Sequence, residues 1–190
     1  GRKHTAQQFF DAFELARKCG FDNINTDLIA GLPTDTPESF KNSLDSIVRL
    51  NAECITVHTL CMKRASRLTT EGVTLDLQQA RDAREMLAYT QNILGQNEYI
   101  PYYMYRQSRM VGNLENVGWS KKGFESLYNV YVMDETHTIL ACGSGGVTKL
   151  KRNNPDYLER IFNFKYPYEY IDRFDELIQR KSGIMQFYGQ

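Results

Sequence analysis

Asn25-Thr-Asp-Leu-Ile-Ala-Gly-Leu-Pro33, running on into Thr34-Asp-Thr-Pro-Glu-Ser-Phe40, decides how the rest of this chain is read. The apolar run predicts a buried strand from about Asn23 to Ala30, with a single acidic residue, Asp27, emerging among its neighbours. A Gly-Leu-Pro turn ends the strand and feeds a helix. Thr36 can cap that helix, Pro37 fits its first turn, and Glu38 suits the positive end of its dipole. An ionised carboxylate is costly inside a strand unless something polar meets it. Asp27 is therefore either paired within the protein or placed to meet a ligand.

Working outward, His4 to Cys19 puts Phe9, Phe13 and Ala16 on one helical face with Phe10 beside them, and Gly20 offers the left-handed position that ends a helix. On the other side, Phe40, Leu44, Ile47 and Val48 make a buried stripe. A second strand follows from Cys54 to Leu60, where Ile55, Val57 and Thr59 alternate with Thr56, His58 and Leu60. Helix, strand, helix, strand implies parallel pairing through right-handed crossovers, a slice of an α/β barrel. Asp76 to Leu94 predicts another amphipathic helix, with Ala80, Ala83, Leu87 and Leu94 inward.

Past Gly95 the grammar changes. Tyr99 to Tyr105, Tyr128 to Met133 and Thr138 to Cys142 read as strands, with Asp134-Glu-Thr-His137 as a hairpin connection. Pro167 opens a last helix, Tyr168 to Lys181, whose apolar face is Tyr170, Ile171, Phe174, Leu177 and Ile178. The expected organisation is α/β for residues 1–95 and an α+β C-terminal region for residues 96–190.

Charge excludes some partners. The 23 Lys and Arg balance the 23 Asp and Glu, so there is no field to draw nucleic acid and no basic run to hold a membrane surface. No apolar stretch approaches the roughly twenty residues that span a bilayer, and no signal-peptide pattern is present. Cys19, Cys54, Cys61 and Cys142 are scattered without a framework, as free thiols in a reducing compartment are, and cytoplasm is the default localisation. His4, His58 and His137 are too dispersed for a zinc site, and each reads as a packed or solvated histidine.

Gly1-Arg-Lys-His-Thr5, Asp27 to Pro33 and Asn51 to Leu60 resemble the later half of the oxygen-independent coproporphyrinogen III oxidases (coproporphyrinogen dehydrogenases), which are radical S-adenosylmethionine (SAM) enzymes. Val57-His-Thr-Leu-Cys-Met-Lys-Arg-Ala-Ser-Arg67 and Gly112-Asn-Leu-Glu-Asn-Val-Gly118 point to the HemZ-like branch. The likeness runs to about Lys181. It implies the later portion of a partial parallel α/β radical SAM barrel followed by the family's C-terminal region. It also implies oxidative decarboxylation of coproporphyrinogen III propionates to vinyl groups, giving protoporphyrinogen IX, with SAM, a 4Fe–4S cluster and an electron donor as partners. The family's Cys-x-x-x-Cys-x-x-Cys loop is missing, and no two cysteines here approach its spacing, so the chain reads as a C-terminal fragment inactive by itself.

The resemblance assigns residues too. Arg2 and Asp27 stand at the register of an arginine and an aspartate that bind SAM, and Cys61 aligns with a residue whose backbone lies against the adenine. A carboxylate can accept hydrogen bonds from ribose hydroxyls, and an arginine can grip a carboxylate in a fork. Propionates call for cations. Lys63, Arg64 and Arg67 follow the strand that ends near Cys61, while Arg106, Arg109, Lys121 and Lys122 flank Tyr102, Tyr103, Tyr105 and Trp119. Each of those cations also reads as a solvated surface residue, and the aromatic group as packing. Gly143-Ser-Gly-Gly146 resembles the family's Gly-x-Gly-Ala-His loop but has Gly146 and Val147 in place of Ala-His, and Tyr128-Asn129 stands where many relatives have His-Asn. These departures keep a haem chaperone or porphyrin carrier on the same fold as the alternative.

Overall fold

The computed structural model describes residues 3–61, 76–106, 110–154 and 156–189. The chain forms two compact units, Gly1–Ser126 and Leu127–Gln190. The change of pattern near Gly95 therefore falls inside the first unit, whose sheet recruits the strands on both sides of it.

In the first unit the elements run α1 (Ala6–Lys18), β1 (Asn25–Ala30), α2 (Pro37–Arg49), β2 (Cys54–Thr59), α3 (Leu77–Gln96), β3 (Tyr99–Tyr105), a 3-10 turn at Val111–Asn113, and β4 (Asn116–Lys121). Local chemistry sets the helix starts. Thr5 and Gln8 close a capping box on α1, Thr36 Oγ1 accepts the Ser39 amide at 3.1 Å, and Asp76 with Gln79 repeats the box on α3. Gly20, at φ +88°, ends the turn after α1 as expected.

The sheet order is β1-β2-β4-β3. β1 and β2 are parallel, as the helix–strand alternation predicts, with Asp27 opposite Thr56 and Ile29 opposite His58. β4 runs antiparallel to β2 and to β3, so it fills the space under the α3 crossover. The helix-covered face holds the core: Ile55, Val57, Tyr99 and Trp119 of the sheet pack with Phe13, Phe40, Leu44, Ile47, Met86 and Leu94 of the helices. Each such side chain contributes about 1.5–3 kcal/mol on burial. Gly31 closes the β1 turn against α3: at φ +81°, its position leaves a Cβ only 3.1 Å from the Ala83 Cβ.

β3 contains a bulge. Pro101 pairs with Trp119 and Tyr103 with Gly118, which makes Tyr102 the inserted residue. Before the bulge Tyr99 faces the core, while beyond it Tyr103 and Tyr105 face the other side of the sheet and Met104 faces the helices with Val117 and Trp119.

The second unit corrects several expectations. Tyr128 to Met133 is not a strand but part of helix α4 (Leu127–Asp134), and Thr138 to Cys142 makes only one bridge, Ile139 to Lys149. β-propensity expresses packing on a pleated surface, and the first run has no partner strand. Its Val132 carbonyl accepts instead from Lys149 Nζ at 3.2 Å. Residues 134–137 leave the end of α4 with Glu135 at φ +50°, and make no hairpin. The hairpin is β5 (Val147–Asn153) with β6 (Asp156–Phe162), two charge-rich runs whose inward residues are Thr148 and Leu150. The expected last helix is broken at Arg173 into α5 (Pro167–Asp172) and α6 (Phe174–Lys181), followed by α7 (Gly183–Tyr188).

Candidate functional site

The face of the first sheet opposite its core carries a chain of polar side chains from β1, β2 and β3. Asn25 Nδ2 donates to Asp27 Oδ1 at 2.6 Å, and Asn25 Oδ1 accepts from the Thr56 hydroxyl at 3.1 Å. The Tyr103 hydroxyl lies 3.3 Å from the Thr56 oxygen, and either group can donate between those two. Burial pushes the Tyr103 hydroxyl up in pKa, which keeps its proton in place. At the other end Tyr105 Oη lies 3.4 Å from His58 Nδ1, and His58 Nε2 lies 3.6 Å from Asp27 Oδ2. The Tyr103 and Tyr105 rings are stacked, with centroids 6.3 Å apart and planes 7° from parallel.

Asp27 is the open end of this chain. Its side chain is 59% exposed, against 29% for His58. The His58 ring first, then Asn25 and Thr56, hold its carboxyl below the ordinary carboxylate range and outweigh partial burial. The group is therefore an anion with one oxygen oriented and lone pairs to spare, able to accept from hydroxyl donors. It also borders a groove of about 730 Å³ between α1 and α2, together with His4, Phe9, Phe10 and Glu38.

The remaining expected site residues do not all converge here. Cys61 follows β2 and forms an antiparallel bridge with Met110, beside the Val111 amide to Leu60 carbonyl bond of 2.9 Å. Arg106 binds Glu115 at 2.7 Å and lines a separate cavity of about 380 Å³ with Leu87, Pro101, Met104 and Trp119, on the helix-covered side. Lys121 is tied to Asn51 and sits over the Tyr99 ring. Arg2, Lys63, Arg64, Arg67 and Arg109 lie outside the described residues. Among the described residues no group of three or more His, Cys, Asp or Glu side chains is placed to hold a metal ion.

Of the six members of the polar chain the sequence singles out Asp27 alone: His58 reads as a packed or solvated histidine, Tyr103 and Tyr105 as packing, and Asn25 and Thr56 as plain strand residues. The alternation of Thr56 and His58 put both on one face of β2, but only the β1–β2 register brings that face to Asp27.

The helices, the parallel β1–β2 pair and the antiparallel continuation define a mixed α/β fold. The structure of coproporphyrinogen III oxidase HemN from Escherichia coli, a radical SAM enzyme, matches with a TM-score of 0.62 at 19% identity, over 92% of this chain and 39% of that one. No family model matches the sequence. The oxygen-independent coproporphyrinogen-III oxidase-like protein HemZ of Bacillus subtilis (strain 168) is 36% identical over 186 residues, covering 98% of this chain and 37% of HemZ. The heme chaperone HemW of Lactococcus lactis subsp. lactis (strain IL1403) is 31% identical over 163 residues, 81% of this chain and 38% of HemW. The chain thus spans less than two fifths of the length of each of these relatives. Over nearly its whole length it is similar to the HemZ/HemN-like coproporphyrinogen oxidase family.

Proposed function

We propose that this chain is part of a radical SAM enzyme that oxidatively decarboxylates coproporphyrinogen III propionates to vinyl groups, in the cytoplasm. The observation that carries this is the exposed, ionised Asp27 on the polar sheet face, at the position where the family resemblance expects a SAM contact. Its free lone pairs suit the vicinal hydroxyls of a ribose, with Asn25 and His58 fixing its orientation. Arg2 and the Cys61 backbone are the further contacts, and Lys63, Arg64, Arg67 and Arg106 are assigned to the propionates.

With its 4Fe–4S cluster, SAM supplies the oxidising power for removing hydrogen from an unactivated carbon. The dispersed thiols of this chain do not fit the cluster: Cys54 is buried, Cys61 half-buried, and Cys19 and Cys142 exposed. That role is assigned to the part of the longer relatives that this chain does not span. The share proposed for the residues present is to hold the nucleoside and to position the substrate. Residues 1–95 are proposed as the barrel portion and 96–190 as the family's C-terminal region. A porphyrinogen, an electron donor and no nucleic acid complete the partner set. Among the described residues no helix is long and apolar enough to cross a membrane.

The test uses the full-length protein, reconstituted anaerobically with its cluster and a reductant. Release of 5′-deoxyadenosine that depends on coproporphyrinogen III, with vinyl product formed, supports the oxidase. Release indifferent to the porphyrin, together with tight haem binding, selects a haem chaperone instead. The likeness to HemW keeps that second reading in view.

A further inference from the structure

We infer that His58 is a positioning residue for the ligand-facing carboxylate: it links Tyr105 to Asp27 across the sheet and fixes the Asp27 oxygens that receive a vicinal diol. This rests on the reading of Asp27 as a nucleoside contact. Asn25 restrains only Oδ1, from two residues away on the same strand. The second oxygen, Oδ2, faces the His58 ring nitrogen at 3.6 Å. That separation is longer than a hydrogen bond, as contacts in unliganded sites often are.

The tautomer follows from the partners. A neutral imidazole that donates from Nε2 to the carboxylate must accept at Nδ1, and the Tyr105 hydroxyl at 3.4 Å is the group able to donate to it. The ring is thus held at both nitrogens, by strands that are not neighbours in the sheet. The other titratable groups around the carboxylate are Tyr103 on β3, and His4 and Glu38 across the α1–α2 groove. None of these hydrogen-bonds the carboxylate; Thr56 on β2 also supports it, and the histidine is the group that faces its second oxygen.

The test compares adenosine with 2′,3′-dideoxyadenosine as probes of the full protein, by calorimetry, with the Asp27 carboxyl followed by ¹³C NMR. The wild type is expected to bind adenosine about tenfold more tightly. In His58→Ala that preference collapses and the Asp27 carboxyl titrates closer to the ordinary carboxylate range. In His58→Gln, whose amide can donate from nearly the position of Nε2, both return toward wild type. Circular dichroism confirms that each variant is folded, and His58→Leu, nearer in volume and without a donor, carries the test should Ala not fold: it too should lose the preference, and keeping it overturns the role of His58. A His58→Ala protein that keeps both the preference and the low carboxyl titration overturns the role of His58 and leaves the Asp27 reading intact. A wild type that treats the two nucleosides alike overturns the Asp27 reading, and this inference with it.

Discussion

The ring of Tyr103 occupies the place where a side chain on Gly118 would stand: a Cβ built at Gly118 comes within 1.9 Å of the Tyr103 Cε1 atom. Glycine at this position of β4 is what lets the tyrosine lie flat and reach Thr56. Gly118→Ala should therefore cost about 1–3 kcal/mol in urea denaturation, through overpacking. In a Tyr103→Ala background the same substitution should cost far less. Equal penalties in both backgrounds would deny the contact.

Among the described residues of the first unit, Arg17 and Glu53 form the most extensively bonded ion pair. Arg17 Nη2 meets both Glu53 oxygens, at 2.7 and 2.8 Å, and Glu53 also accepts the Ile24 amide at 3.0 Å. Glu53→Ala should destabilise by about 2 kcal/mol, the loss expected for hydrogen bonds to a charged group that is mostly buried. Burial raises the Glu53 carboxyl, but Arg17 and the backbone amides more than offset it, and the pKa in the fold is lowered. The stabilisation is then complete above the unfolded pKa and is lost as pH falls through the folded one. Stability of wild type and variant should converge in acid.

Tyr99 should behave oppositely in base. Burial pushes its hydroxyl up to about 12, while the Ala52 carbonyl accepts its proton. The folded state therefore keeps a proton that the unfolded state releases near the ordinary value of about 10. The stabilisation is full below that value and is lost as pH rises toward 12. An ultraviolet tyrosinate titration should show a component ionising near pH 12 that is lost in Tyr99→Phe.

Phe164 is gripped by two cations in the second unit. The guanidinium carbons of Arg173 and Arg180 both lie 4.1 Å from its ring centroid, and both arginines also bind Glu176. Phe164→Leu keeps an apolar residue but removes the π face, at a cost of about 1–2 kcal/mol. Thermal melts followed by circular dichroism should place Phe164→Tyr near wild type and Phe164→Leu clearly below it.

What could be read from sequence was what local chemistry determines. The α1 stop at Gly20, the Thr36 cap with Pro37 after it, and the strand holding Asp27 are set by residues within a few positions of each other. The second unit resisted for the converse reason. The tyrosine- and valine-rich run at 128–133 looks like a strand, but a strand needs a neighbour, and the hairpin formed instead from charged residues 147–162. Within the candidate site Asp27 was legible from its own strand. His58 became visible only through the β1–β2 register, and Arg106 stands apart because it faces the helices and is held by Glu115.

The inserted Tyr102 makes β3 a strand with two allegiances. Upstream of it odd-numbered residues serve the interior, and downstream they serve the polar face. Draw Tyr102 into the ladder opposite Gly118, in regular alternation, and neither composition nor hydrophobicity changes. Yet Met104 would turn outward, and the hydroxyls that reach Thr56 and His58 would be driven into oil. Register, not residue identity, is the quantity this strand cannot trade: substitutions along it can be absorbed singly, whereas pairing the inserted residue would turn over the whole far half at a stroke.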